Sequence, residues 1–434
     1  MAGLTELRKA LVSTGDGAAL LPYDLDPVLH EELLKLQPLL ELLDVVQAEG
    51  KTHEYTVRSS HPLGWFEGEV TPANSRNGVY VRKSVALKIL RNWGSVSGFA
   101  QKVDEKFIDA LTAELQASLE GMANIFEFSA LFGIANDIGF TGDAYQFSGI
   151  LPRVYAYAVG NVVDAGGDKI SLADLDEAYA LANGFRGVRN DPAFWMMGMR
   201  MKQVVDGLQT KVQMPLSSVM LADGKLEMAA YGKAPILESD FVVPATSTTS
   251  PTAVGTKAAG GSLADGAYLY KIASVTAYGE QVAGTADGDT TETTNNKINL
   301  TWTHDDAALA YMIFRNVDAG AYGLLDIIPA LTYDSAGTVN GVVEAYTDDG
   351  TRTPVAVKPL ATGEQIITYI NANPLRGAAM VGMIDDMGRQ VQGLVSFVEL
   401  ARIKDSYDFM LKSYAALRLV HPNLVSVIRH AKLA

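Results

Sequence analysis

Pro244-Ala245-Thr246-Ser247-Thr248-Thr249-Ser250-Pro251 divides this chain. Two prolines bracket a run of small hydroxyl-bearing residues, a composition that ends regular structure on either side. Before the tract, helical and strand patterns alternate. After it an all-β pattern runs to about Ala356, and the mixed pattern resumes near Val357. The chain therefore reads as a mixed host interrupted by a module at residues 246–356.

Inside the insertion the apolar residues keep period two. Tyr268, Tyr270 and Ile272 share one strand face, Ile298, Leu300 and Trp302 another, and Ala310, Met312 and Phe314 a third. Turn residues recur at Gly279, Asp287-Gly288, Asn295-Asn296, Asp318-Ala319-Gly320 and Asp348-Asp349-Gly350. Short strands at such spacing over about 100 residues predict a β-sandwich, with Trp302 in its core. The insertion holds 5 Lys/Arg against 13 Asp/Glu, a net of −8. The rest holds 30 against 37, a net of −7 spread over about three times the length. An acidic module on a near-balanced host suggests that the module faces solvent and the host faces copies of itself. Acidic residues that merely keep the module soluble fit equally well. Because the insertion reads as self-contained with paired ends, a short Gly/Ser linker in place of residues 246–356 is expected to leave assembly intact.

Outward from the insertion, residues 1–50 read as an N-terminal arm, with Asp26-Pro27 as N-cap and first helical position. Residues 51–100 are extended: runs around Tyr55-Val57 and Val79–Ile89 flank the turn-rich Thr71-Pro72-Ala73-Asn74-Ser75-Arg76-Asn77-Gly78. They predict a long two-stranded ribbon, marginal in water unless it packs on something else. Residues 101–245 open with an apolar face at Val103, Phe107, Leu111, Leu115, Leu119, Met122 and Phe126. That spacing predicts a helix to Leu131, ~43 Å long at ~1.5 Å per residue. Ser171 with Asp174 forms a capping box ahead of a helix over 172–181. Asp191-Pro192 predicts a further helix through Phe194, Trp195, Met197, Met201, Val204 and Leu208; the cluster Met196, Met197, Met199 and Met201 reads as core filling ahead of a pliable binding surface. Residues 357–434 predict a helix over Glu364–Asn371 and then strands over 379–384, 390–403, 409–420 and 424–429.

At 434 residues and 48% hydrophobic content the chain can bury two or three cores. No apolar run reaches the ~20 residues of a membrane span, and residues 1–21 do not resemble a secretory signal. The absence of cysteine excludes disulfides and thiolate metal sites, and agrees with folding in a reducing cytoplasm. A net charge of −15 argues against condensing nucleic acid on a basic surface.

A search for chemistry gives little. His30, His53, His61, His304, His421 and His430 never pair at zinc-ligand spacing. His30-Glu31-Glu32 lacks a second histidine, and Gly94-Ser95-Val96-Ser97-Gly98 has the wrong spacing for a nucleophile elbow. Asp287-Gly288-Asp289 opens like a calcium loop without the later ligands, and reads better as a turn. Asp385-Asp386 fits a hairpin cap better than a catalytic pair. No catalytic, cofactor or metal residue is assigned, and the chain does not read as an enzyme.

Several stretches, taken in order, resemble the major capsid proteins of tailed bacteriophages, the Hong Kong 97-type family. Gly64-Trp65-Phe66-Glu67-Gly68-Glu69 with Pro72 resembles the aromatic-x-Glu-Gly stretch at the base of that family's E-loop, which singles out Trp65, Glu67 and Gly68 as assembly residues. Gln146-Phe147-Ser148-Gly149-Ile150-Leu151 resembles its Gly-Ile-Leu segment after the spine helix, and Tyr414 to Lys432, with Arg418, its last strands. Leu300-Thr301-Trp302, Ala310 to Arg315 and Tyr346 to Gly350 resemble fibronectin type III and related immunoglobulin-like modules, common appendages on phage structural proteins. The resemblance covers about residues 25–243 and 357–433 and implies an α+β Hong Kong 97-type capsid fold with an immunoglobulin-like sandwich insertion. Residues 1–50 would be the N-arm and 51–100 the E-loop. Residues 101–245 would hold the spine helix, the peripheral domain and part of the axial domain, completed by 357–434.

The resemblance further implies self-assembly into hexamers and pentamers of an icosahedral shell, with the module projecting outward. Such a shell encloses double-stranded DNA without sequence-specific binding and without a membrane. The protein would be made in the host bacterial cytoplasm and reside in the virion, with portal and decoration proteins, and a separate scaffold protein or none, as further partners. Some family members crosslink through Lys and Asn; Lys83, Lys88 and Asn74 lie in or near the ribbon but match no such pattern. An encapsulin-like bacterial compartment shares the implied fold. A glycan-binding surface adhesin, or an enzyme with an accessory β-domain, are the remaining alternatives.

Overall fold

The computed structural model describes residues 39, 42–64, 66, 77–98, 110–184, 191–211, 217–220, 227–246, 251–292, 296–333, 339–383, 390–391, 395–400 and 405–433. In chain order, β1 (Val45–Gln47), β2 (Thr52–Ser60), β3 (Val79–Ala86) and β4 (Lys88–Ser97) precede helix α1 (Ala110–Phe132). Helix α2 (Ile150–Tyr157), β5 (Val162–Asp164), α3 (Leu172–Gly184), β6 (Ala193–Met197), α4 (Met199–Lys211), β7 (Ser217–Met220), β8 (Glu227–Tyr231) and β9 (Ala234–Glu238) follow. The insertion contributes β10 (Val254–Ala258), β11 (Gly266–Thr276), β12 (Gly279–Glu280), β13 (Asp287–Thr291), β14 (Lys297–Thr301), β15 (Ala308–Val317), β16 (Gly323–Pro329), β17 (Leu331–Tyr333), β18 (Val339–Val342) and β19 (Ala345–Asp348). The host closes with β20 (Gln365–Asn371), β21 (Ala378–Gly382), β22 (Gln390–Val391), β23 (Val395–Glu399), β24 (Ser406–Leu419) and β25 (Val425–Ala431).

The chain divides into two compact units. The smaller comprises the described parts of 93–120 and 398–410. In it Ser95 Oγ donates to the Asp408 carboxylate, and the Gly98 N–H donates to the Asp405 carbonyl at 3.0 Å. A Cβ on Gly94 would sit 2.2 Å from the Phe409 ring, so only glycine lets that ring lie against the strand.

The larger unit holds a seven-stranded sheet in the order β5-β25-β20-β6-β9-β8-β7. Helices α3 and α4 supply Leu175, Ala178, Met201 and Val205 to the core on one of its faces. The capping box forms as read: the Ser171 N–H donates to Asp174 at 2.9 Å and Asp174 N–H returns to Ser171 Oγ at 3.3 Å. Two readings are corrected here. The segment after Pro192 opens with β6 rather than a helix, and Glu364–Asn371 is β20 rather than a helix. Both are buried on two faces: Trp195 and Met197 enter the helix-covered core, while Met196 enters the opposite one. Strands covered on both sides show continuous apolar runs, which period alone cannot distinguish from helix. Met196, Met197 and Met201 are fully buried, whereas Met199 is exposed. Elsewhere in this unit β1 runs parallel to β21, with Val45 opposite Met380. Strand β21 pairs antiparallel with β24, with Ala378 opposite Leu419.

The long strand expected over 390–403 is instead a hairpin, with Val391 of β22 opposite Val395 of β23. Residues 1–38, Asp385 and Asp386 lie outside the described residues.

The insertion holds two packed sheets, β10-β14-β19 and β12-β11-β15-β16, with β13 paired to β11, and a separate two-stranded pair β17-β18. Between them lie Tyr270, Ile272, Ile298, Leu300, Trp302, Tyr311, Ile313, Leu325 and Ile328. Trp302 meets Tyr311 edge-on at 5.4 Å. The expectation of a self-contained module holds for only one face of the larger sheet. Ala273, Val275, Ala310, Met312, Phe314, Leu324 and Ile327 point the other way, into one continuous core with host residues Phe128, Phe132, Phe140 and Phe241. Asp287-Gly288-Asp289, read as a turn, is the start of β13. Its two carboxylates accept the N–H groups of Gly255 at 3.2 Å and Lys257 at 3.0 Å along β10. The Lys257 and Thr290 N–H groups hold the Asp289 carboxyl below its usual pKa.

Candidate assembly surfaces

Strands β2 and β3 form an antiparallel ribbon from Thr52↔Ala86 to Ser60↔Val79. Its root is anchored. Val85 and Leu87 are buried and Tyr55 packs against the core, with the Arg418 guanidinium 5.5 Å above the Tyr55 ring. Arg418 also lies 3.1 Å from His53 Nε2 and donates to the Pro374 carbonyl. Burial first, then the Arg418 charge, pushes the His53 imidazole below its usual pKa. Arg418 thus serves the ribbon root, a partnership that no local sequence pattern announces.

Beyond the root the described residues leave the apolar side chains of β3 open. Val79 is 54%, Tyr80 64% and Val81 43% exposed, while Leu63 and Phe66 ahead of β3 are more exposed still. The Glu54–Arg82 pair, 3.3 Å apart and open to solvent, contributes little to holding the ribbon. Lys83 is exposed on β3. Trp65, Glu67, Gly68 and Asn74 lie outside the described residues.

At the ribbon root a cavity of about 380 Å³ is lined by Lys88, Ile89, Ile125, Phe147, Tyr145 and Tyr333, among others. Ile89, Ile125 and Tyr145 are exposed around it. Lys88 Nζ reaches the Ala144 carbonyl. Asp143, also in the lining, is buried, and that burial raises its pKa above the usual carboxylate range.

The joint between insertion and host is polar at its edges and apolar in its middle. Asp326 of β16, fully buried, accepts the Thr141 N–H at 2.7 Å, its Oγ–H at 2.6 Å and Arg352 Nη1 at 2.8 Å. Arg352 also donates to the Gly139 carbonyl at 2.6 Å. Burial pushes the Asp326 carboxyl up despite these donors. Arg429 of β25 is buried with Glu280 of β12 at 2.7 Å, Tyr155 Oη at 2.6 Å and the Lys358 carbonyl at 2.9 Å. Burial alone would lower the Arg429 pKa; Glu280 and Tyr155 outweigh it and hold the guanidinium charged. Removing one partner from such a buried pair costs about 3–5 kcal/mol.

Where the chain leaves and re-enters the host, the Ala245 N–H donates to the Glu364 carbonyl at 2.7 Å and the Gly363 N–H to the Ala245 carbonyl at 2.9 Å. Glu364 accepts from His430 at 2.6 Å and lies 3.6 Å from Lys432. Among the described residues no group of three or more His, Asp or Glu side chains is placed to hold a metal. No described helix is long and apolar enough to cross a membrane.

No protein-family model and no curated protein sequence matches this chain. Among solved structures it is similar to the holo-SrpI encapsulin complex of Synechococcus elongatus PCC 7942, with a TM-score of 0.53, 12% identity, and 97% of this chain and 96% of that one covered. A capsid of a native GTA particle matches at a TM-score of 0.48 and 12% identity, over 96% of this chain and 97% of that one. A structure from Mycobacterium phage Ogopogo matches at 0.48 and 10% identity, over 96% and 99%. The encapsulin match runs through nearly the whole of both chains, which fixes the fold: an α+β architecture of the Hong Kong 97 type.

Proposed function

We propose that this protein is the major capsid protein of a tailed bacteriophage, a non-enzymatic subunit that assembles as hexamers and pentamers into an icosahedral shell around double-stranded DNA. The observation that carries the reading is the ribbon β2/β3, whose apolar residues Val79, Tyr80 and Val81 are left uncovered by the unit that anchors its root. A two-stranded ribbon is marginal alone. Burial of such side chains on a neighbour stabilises by roughly 1.5–3 kcal/mol each when complete. Closed symmetry repeats that modest contact around the shell. The acidic overall charge suits a wall that encloses DNA without gripping it, because affinity for phosphates rises steeply with the number of basic contacts. The immunoglobulin-like kinship of the insertion, and its position on the outer surface of the shell, belong to the same proposal.

An encapsulin-like compartment is the second reading, favoured by the likeness at a TM-score of 0.53. Expression of the full chain, alone or with a scaffold protein, followed by negative-stain microscopy tests the shell. Hollow closed particles are expected, and a strictly monomeric species under all assembly conditions would refute it. The particle contents separate the two readings: DNA in virions for the first, a copurifying enzyme and no DNA for the second.

A further inference from the structure

We infer that the insertion supplies the second half of the host's own core, so that module and host fold as one cooperative unit and the host does not form without residues 246–356. Three independent features lead there, and none requires that the subunit assemble.

The first is the two-faced character of β15. Tyr311 and Ile313 enter the sandwich, whereas Met312 and Phe314, on the alternate positions, enter the core that contains Phe132 and Phe140 of the host. Removal of the module would strip the cover from those phenylalanines and leave a hydrophobic patch that a soluble monomer does not tolerate. The second is the pair Arg429–Glu280. The arginine belongs to the last strand of the host and its carboxylate to the insertion, and both side chains are almost wholly out of solvent. Without Glu280 the guanidinium keeps only the neutral Tyr155 hydroxyl and Lys358 carbonyl and loses its counter-charge, a cost that falls on the host sheet. The third is Asp326, a module carboxylate whose hydrogen bonds with Thr141 satisfy a host loop. An appended domain joined by flexible strands needs none of these.

The consequence is a correction to the sequence-based expectation. The module is exchangeable only on the side turned away from the host, where Val254 of β10 and the neighbouring positions of β14 and β19 are open. The larger sheet is structural on both faces.

The test is urea unfolding of the unassembled full-length chain, followed by hydrogen exchange in peptides from residues 308–329 and from residues 126–155. Equal midpoints and equal urea dependence are expected for the two regions. Trp302→Phe, a change deep in the sandwich, should shift both midpoints together by the same amount. A module transition separate from that of the host, or a host midpoint that Trp302→Phe leaves in place, would overturn the inference. The linker replacement of residues 246–356 gives a second measurement. Insoluble or unfolded chain is expected, and a soluble, cooperatively folded product would overturn the inference whether or not it forms shells.

Discussion

The ribbon β2/β3 and the strand pair β11/β15 are both long antiparallel ladders, and their surroundings are opposite. Between β2 and β3, of the sixteen positions matched in register, only Val85 is buried. Along β15 nine of the ten residues are at least half-buried or better, with apolar side chains committed to cores on both sides. The same backbone pairing thus serves two ends. Where a ladder is covered within its own unit, its side chains determine whether the subunit folds. Where it is left open, they determine what the subunit can bind.

The comparison is broken most severely by a charge in the covered ladder. Phe314→Asp places a carboxylate with no partner in the shared core and should destabilise the unassembled chain by roughly 4–5 kcal/mol, read as loss of the urea transition or of soluble yield. Trp302→Ala should follow at about 3–5 kcal/mol, measured by the same unfolding curve. An unchanged midpoint would remove Trp302 from the core. Thr141→Val deletes one hydroxyl donor to Asp326 and keeps the backbone one, for a loss of about 1–3 kcal/mol. Chemical denaturation of that variant beside the parent decides it.

The joint also predicts a pH dependence. Burial pushes the Glu364 carboxyl up, but the Ala361 N–H, His430 and Lys432 together hold it below its ordinary 4.5. A depressed carboxylate stabilises fully above the unfolded value and loses that contribution as pH falls through the folded one. The melting temperature should therefore drop as pH falls below about 4.5, where the unfolded carboxyl begins to gain its proton. Glu364→Gln should flatten that part of the profile, and a variant with the parental slope would disconnect the residue from it.

The smallest effect on the isolated subunit is expected in the open ladder. Tyr80→Ser with Val81→Ser should move the subunit's stability by only about 0.5 kcal/mol while abolishing or slowing shell formation, scored by light scattering and microscopy. Normal shells from that variant would mean that the ribbon is not an assembly surface.

Much of this architecture is legible in the sequence because its borders are written in local chemistry. Pro244 and Pro251 bracket the start of the insertion, and Ser171 with Asp174 caps its helix where spacing says it should. Strands β6 and β20 were harder. Phe194 to Met197 and Gln365 to Asn371 are covered on both faces, so alternation between apolar and polar residues, the usual mark of a strand, is missing. The same unbroken run in Ala308 to Phe314 marks a strand covered on both faces, because a module with one free sheet face would alternate there. Contacts such as Arg429 with Glu280, 149 residues apart, have no signature in a single sequence. Trp65, Glu67 and Gly68 lie outside the described residues and remain candidates on the sequence resemblance alone.

In the proposed shell identical sandwiches would come within reach of one another, and a bare strand margin would invite them to zip together. Strand β10 is guarded against this. Asp287 and Asp289 occupy the outward N–H groups of Gly255 and Lys257, so a second chain would have to displace two carboxylates before adding a strand. The β10 margin of the sandwich is therefore closed to strand addition by another chain.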